Sequence, residues 1–407
     1  MSFFKFYNYF HAAIVNEQVI DCFFYNEYGC KASEFLYLPR VSKWISFIWQ
    51  PLRKFYILRR SVFFILFVFF VPFVFLYQFY SFAKDVFIKK TVITSVTEVA
   101  FVTGDRSFNC INSVVDPSRD VFFISFLDFN NDSRVKNISK VLGFRSKFKA
   151  LCYSLLSLTI TLLRFELKVF PQTYVAYRFF LMNEFLHFFK PSCIFITQHY
   201  DRWAVLYDSY CSFDADHGNI SFTVVQHGIE TDAFFNFINK NNFNFHRLNS
   251  LNSLYVYDEG EHQCFRNNIF ADKKMDVKIC FYDVGDIVLS PITFKNNKPT
   301  FLFIGHSLYE QLHIKLYETL SKEFDANFIY KQHPTVNASH KCKSLGWSIV
   351  TDNVFPDVDF VVSYQSTLAL QYLKMNKLVY FHSDFDPLSY SKVQSDVINF
   401  FRSCYDL

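Results

Sequence analysis

"FLFIGHSLYEQLHIKLYETLSKEFDANFIYKQHP", residues 301–334, holds two short apolar runs separated by one stretch of helix length. FLFI and FIY have the length and aromatic content of buried strands. YEQLHIKLYETLSKEF between them reads as a helix. Strand, helix and strand in that order predict a βαβ unit with parallel strands.

The same alternation extends outward. Downstream come "WSIVTDN", "VDFVVSYQS", a helix "TLALQYLKMN" and "KLVYFHS". Upstream, from about residue 90, come "TVITSVTEVAFVTG", "DVFFISFLDF", a long helical stretch from about 146 to 170, "PSCIFITQHYD", "ISFTVVQHGIE", "LNSLYVYDEGEH" and "MDVKICFYDVG". The reading is α/β, and 407 residues are too many for one ordinary core, so two domains are expected. The polar linker 290–299, with Pro291, Lys295, Asn296, Asn297, Lys298 and Pro299, is the expected boundary. The divisions are then 1–90, an apolar and basic helical region, 91–290 and 291–407.

Hydrophobic residues make up 51%, with 56 Phe and only 9 Gly. The Phe excess reads as nucleotide bias in the gene, since Phe stands where Leu or Val would fill a core. A net charge of +4 is too small to argue for nucleic acid, and basic residues do not interleave with aromatics as in a single-strand groove. The 10 cysteines show no C-x-x-C pair and no zinc spacing, and read as reduced thiols of a cytosolic protein. The N-terminus does not have the form of a signal peptide.

Residues 61–77, "SVFFILFVFFVPFVFLY", carry no charge, and Lys43, Arg53, Lys54, Arg59 and Arg60 precede them. No acid occurs between Glu34 and Asp85. The run is at the short limit for a bilayer span, and Pro72 interrupts it. A monotopic or re-entrant anchor at an anionic headgroup layer is expected, against the alternative of a core helix with a basic flank.

In open parallel sheets ligands bind beyond the carboxyl ends of strands. Five strand ends carry polar groups: Gln226-His227-Gly228, Asp258-Glu259-Gly260, Gly305-His306-Ser307, Lys331-Gln332-His333-Pro334 and Tyr364-Gln365-Ser366-Thr367. Rims of this kind on both domains suggest a cleft between them. Ser366 and Thr367 open a helix, as simple N-caps or as an anion site. His333 with Lys331 is a turn histidine or a source of donors to a diphosphate. Asp258 and Glu259 are a general base pair or acids that stabilise a helix dipole. Asp-x-Asp occurs at Asp214/Asp216, Asp357/Asp359 and Asp384/Asp386 without a consistent strand context, so no metal is expected.

The order of these motifs, over roughly residues 190–385, resembles the GT-B glycosyltransferases of bacterial surface-polysaccharide assembly. That group takes in capsule and Kdo transferases, sialyltransferases and the related CDP-glycerol glycerophosphotransferases. The resemblance implies two Rossmann-like domains facing a cleft, the first (91–290) for acceptor and the second (291–407) for nucleotide donor. It implies donor-phosphate contacts from His333, Ser366 and Thr367, with Lys331 and Ser363 beside them, and a nucleotide loop at Gly305, His306 and Ser307. It places His227 at the reacting centre. Asp258-Glu259-Gly260 matches the acidic base motif of the sialyltransferase-like members in letters but lies later in the chain than that base would.

The implied activity is inverting, metal-independent transfer of a sugar from a nucleotide-activated donor to a lipid-linked or other glycan of a capsule or lipopolysaccharide. It needs no cofactor and no nucleic acid, and takes place at the cytoplasmic face of a bacterial inner membrane. The alternatives are a CDP-glycerol-type polyol-phosphate transferase, a non-catalytic membrane-bound assembly protein and a sugar-nucleotide epimerase.

Overall fold

The computed structural model describes residues 3–28, 56–88 and 91–405. Residues 92, 94, 129–132, 167–168, 214–219, 229–231, 274, 284–286, 292–293, 295–297, 307–308, 334–337, 351–353 and 383–389 lie outside the description, as do the side chains of 3, 21, 24–28, 56–70, 171, 213, 232–233 and 405. The chain divides into two compact units, Met1–Tyr282 and Asp283–Leu407.

The first unit opens with α1 (Phe3–Tyr28) and α2 (Tyr56–Val86). Then follow β1 (Glu98–Phe101), α3 (Asp105–Val114), β2 (Val121–Ser125), β3 (Lys136–Asn137), α4 (Ile138–Val141), α5 (Phe144–Leu163), a 3₁₀ turn (Phe170–Val175) and α6 (Ala176–Phe189). The unit closes with β4 (Cys193–Ile196), α7 (Arg202–Phe213), β5 (Ser221–Val225), α8 (Asp232–Lys240), β6 (Ser253–Val256), α9 (Glu259–Asn268) and β7 (Lys278–Phe281). Its seven strands stand in the order β3-β2-β1-β4-β5-β6-β7. Every pairing is parallel. This is the doubly wound Rossmann order, and the winding reverses between β1 and β4.

The second unit holds β8 (Leu289–Ser290), β9 (Thr300–Ile304), α10 (Glu310–Glu323), β10 (Asn327–Lys331), α11 (His340–Lys343), β11 (Ser348–Val350), β12 (Phe355–Pro356), β13 (Phe360–Ser363), α12 (Thr367–Lys374), β14 (Leu378–Phe381) and α13 (Tyr390–Tyr405). Its main sheet runs β11-β10-β9-β13-β14, again parallel, with the reversal between β9 and β13. The unit begins seven to eight residues before the expected boundary. The reason is that β8 pairs with β12, so the start of the linker already belongs to the second fold.

The central strands are buried on both faces because helices cover both, which is why TFLFI of β9 reads as an unbroken apolar run. The N-terminal helix does not stand apart in a 1–90 region as the sequence suggests. Tyr7, Phe10, Ala13 and Ile14 of α1 are fully buried in the core of the first unit. Its polar residues dock it. Glu17 takes Arg202 in a forked pair, with Nη2 at 2.7 Å and Nε at 2.9 Å. Asn16 donates to the carbonyls of Tyr200 and His246 and accepts from His246 N.

The second half of α2 also packs inward, through Val74 and Gln78. The Gln78 amide donates to Tyr174 O and accepts from Tyr177 N. Among the described residues no helix is long and apolar enough to cross a membrane. Most of the apolar run 61–77, residues 61–70, lies where side chains are outside the description.

Candidate active site

In the second unit the reversal point gathers most of the residues singled out from sequence. β9 ends at Gly305-His306 and β10 ends near His333, and the two imidazole rings lie 5.1 Å apart. His306 is also 5.3 Å from Tyr364, just past β13. Ser366 caps α12, its Oγ accepting from Ala369 N at 3.2 Å, and Thr367 begins the helix. Ser363 Oγ donates to Tyr364 O at 2.7 Å and lies 3.3 Å from Ser366 Oγ. Hydroxyls, a helix N-terminus and two imidazoles thus meet at one sheet edge, the combination that accommodates an anion.

Burial and the neighbouring His333 push His306 down to about 4, so the ring is neutral at pH 7. Gly305 has a packing reason for its identity. A Cβ there would stand 2.5 Å from Tyr330 Cζ and 2.7 Å from Lys331 O. Ser307 lies outside the described residues.

Lys331 differs from the expectation. It is buried, its Nζ donates to Val354 O at 3.0 Å, and it lies 4.8 Å over the Phe355 ring. That engagement holds the segment leading into β12, a structural role rather than the donor-phosphate contact expected of it.

Behind the edge stands a buried group that the sequence reading passed over. Tyr309 stacks on Tyr364 at 4.6 Å and touches His382 at 5.0 Å. His382 and His313 meet Nε2 to Nε2 at 2.8 Å. One ring must donate and the other accept, so the pair is neutral, and burial holds both well below the ordinary value. His382 ends β14, and the strand-end rule applied to "VYFHS" finds it.

In the first unit His227 follows β5. Its Nδ1 lies 2.9 Å from Thr197 O. A carbonyl only accepts, so Nδ1 carries the proton and Nε2 the lone pair. Burial, then His199, then Arg106 push its pKa down to about 3, which keeps the ring neutral. His199, at the end of β4, directs its own Nδ1 to the same carbonyl at 3.3 Å, and the two rings are 6.0 Å apart. The adjacent strands therefore end in the same dipeptide, Gln198-His199 and Gln226-His227. The repeat is visible in "TQHYD" and "VQHGI".

The loop carrying His199 is braced from below. Asp201 caps α7 by accepting from Trp203 N and Ala204 N, and Arg202 holds Glu17. Burial and the Glu17 charge raise the Asp201 carboxyl well above the usual carboxylate range.

The acidic pair proves to be helix chemistry. Asp258 is the N-cap of α9, accepting from Glu261 N at 2.9 Å. Glu259 is exposed and holds His262 and Gln263 of its own helix. Neither carboxylate is bonded to His227. Asp359 accepts from Thr300 N and Asp357 pairs with Lys377, while the other two Asp-x-Asp pairs lie outside the described residues. Among the described residues, no group of three or more His, Cys, Asp and Glu is placed to hold a metal ion.

The chain thus folds as two consecutive Rossmann-like units with polar residues at each reversal point. No protein-family model and no curated protein matches the sequence. Three solved structures are similar in outline. UDP-N-acetylglucosamine 2-epimerase from Rickettsia bellii shares 10% identity over 70% of this chain and 78% of its own, TM-score 0.40. UDP-GlcNAc 2-epimerase from Neisseria meningitidis, bound to UDP-GlcNAc, shares 10% over 73% and 85%, TM-score 0.39. The lipopolysaccharide outer core galactosyltransferase WaaB shares 10% over 73% and 77%, TM-score 0.34. Likeness at this level transfers nothing of those proteins to this chain.

Proposed function

We propose that the protein is a glycosyltransferase that moves a sugar from a nucleotide-activated donor to a hydroxyl of a glycan, as in bacterial capsule or lipopolysaccharide assembly. The observation that carries the reading is the second unit's sheet edge. His306, His333, Ser363 and the capped N-terminus of α12 converge there at the reversal point of a Rossmann-like sheet. The first unit separately holds a neutral imidazole, His227, whose Nε2 carries the lone pair and can accept a hydrogen bond.

In this mechanism the acceptor O–H bond breaks and its proton passes to a general base. The oxygen's electron pair forms the new bond to the anomeric carbon, from the face opposite the leaving group. The bond from that carbon to the phosphate oxygen breaks, and its electrons leave on the nucleotide phosphate. His306, His333 and the helix N-terminus offset the growing charge. The nucleotide sugar is a substrate, and no cofactor or metal takes part in the proposed steps.

Association with the cytoplasmic face of a membrane forms part of the reading. It is supported by exposed apolar residues on α2 and α5, among them Phe73, Leu76, Tyr80, Phe144 and Phe148. A lipid-linked acceptor would be met at such a surface.

The test is a melting-temperature panel of CMP, CDP, UDP and GDP, followed by calorimetry on the best nucleotide. The expected result is a shift with at least one of them and its loss in His333→Ala. No shift with any nucleotide, or equal binding by His333→Ala, would sink the reading.

A further inference from the structure

The Gln198 amide lies at the reversal point of the first sheet, where its Nε2 donates to Thr103 Oγ1 at 3.0 Å across the ends of β4 and β1. The residue is 7% exposed, and Oε1 has no hydrogen-bond partner among the described residues. Turning the amide over exchanges its ends and still leaves one polar atom alone. Buried polar atoms are nearly always bonded, and one left alone at a sheet's reversal point, where ligands bind, marks a place for a ligand group.

The chemistry of that ligand follows from the atoms on offer. The Gln198 amide presents Oε1, or Nε2 if turned over, and a hydroxyl satisfies either because it both donates and accepts. His227 Nε2 is an acceptor, because Nδ1 carries the proton to Thr197 O. Such a lone pair repels the oxygens of phosphate or carboxylate and takes an O–H group. An amide and a lone pair at the ends of neighbouring strands suit neighbouring hydroxyls.

We propose that Gln198 is a specificity-determining residue. Its amide hydrogen-bonds a hydroxyl beside the one held at His227 Nε2, and the ligand is a neutral, multiply hydroxylated ring such as a pyranose. His199 is a positioning residue that shares the Thr197 carbonyl and faces His227. The role of the ring as acceptor rests on the transferase reading, whereas its binding here does not.

Saturation-transfer NMR on the full chain tests this with methyl pyranosides as probes and inorganic phosphate as the anionic control. At least one pyranoside is expected to bind and phosphate not to compete with it. Gln198→Met, which keeps the bulk and deletes the amide, weakens binding at least about tenfold, the loss of one buried hydrogen bond. Gln198→Glu keeps an acceptor oxygen and restores it. His227→Asn leaves a nitrogen to donate to Thr197 O and removes Nε2, and it also weakens binding, which carries the test if Gln198→Met fails to fold. Nucleotide shifts in the second unit stay unchanged in all three.

Failure of every pyranoside to bind the wild type, or equal binding by folded Gln198→Met and His227→Asn, overturns the inference. The nucleotide panel judges the transferase reading separately, so the two can fail apart.

Discussion

At the scale of single residues the second unit's edge makes two demands that can be measured. Gly305 is held by contact, with Tyr330 and Lys331 O where a side chain would begin. Gly305→Ala must push β10 from β9 or tilt the Tyr330 ring. The expected cost is about 1–3 kcal/mol of unfolding free energy, read from urea curves. A stability within error of wild type would mean that the ring moves freely. His306 makes the other demand. Its ring is neutral because burial and His333 hold its pKa near 4. A bound phosphate would raise that pKa, so binding would draw a proton onto the ring. Linkage then makes nucleotide affinity rise as pH falls through the bound ring's raised value toward the free ring's value near 4, and level off below it. Calorimetry in two buffers of different ionisation enthalpy should show proton uptake on binding between those two values. Affinity that falls with acidification would remove His306 from the phosphate site.

At the scale of elements the helix α1 is the instructive case. "IVNEQVID" looks like a segment broken by polar residues, yet Asn16 and Glu17 are the groups that fasten it. Glu17→Ala leaves Arg202 buried without its carboxylate, and breaking such a pair costs about 3–5 kcal/mol. The variant should melt well below wild type, and Glu17→Ala/Arg202→Met should recover much of the loss. A single variant that melts like wild type would show that α1 is dispensable to the core. The same contrast explains what the sequence revealed. Strands such as TFLFI and FVVS are legible because burial on both faces forces a continuous apolar run. His227, His306, His333 and Ser366 are legible because the strand-end rule needs only order along the chain. Lys331 and Asp258 were read as site groups on the same rule. Their actual partners, Val354 O and Glu261 N, are set by tertiary placement and capping, which order along the chain does not encode. His199 and Gln198 show in the sequence only as a repeat of the Gln226-His227 dipeptide. Their significance appears once β4 is known to flank β1 at the reversal of the sheet.

At the scale of the whole molecule the question is where the protein works, and the outer surface of the first unit bears on it. On α2, Phe73, Leu76 and Tyr80 are each more than 60% exposed at spacings of three and four residues, so they share one face. On α5, Phe144 and Leu163 are comparably exposed, with Phe148 and Leu156 less so. The two helices meet where Phe82 packs against Phe144 and Phe148. Lys84, Arg145 and Arg164 occur along the same helices and their ends. An apolar stripe with basic residues fits the headgroup layer of an anionic membrane, entered from one side without a span. The expected result is flotation with phosphatidylglycerol vesicles and weaker flotation with phosphatidylcholine. High salt should reduce binding without abolishing it, since the apolar share does not depend on ionic strength. Phe73→Ser/Leu76→Ser/Tyr80→Ser removes three side chains whose burial is worth about 1.5–3 kcal/mol each when complete. Even partial insertion should then make the triple variant bind at least about a hundredfold more weakly, with its nucleotide shifts intact. A wild-type protein that stays in the aqueous layer, or a triple variant that floats as well as wild type, would place the work of this face elsewhere.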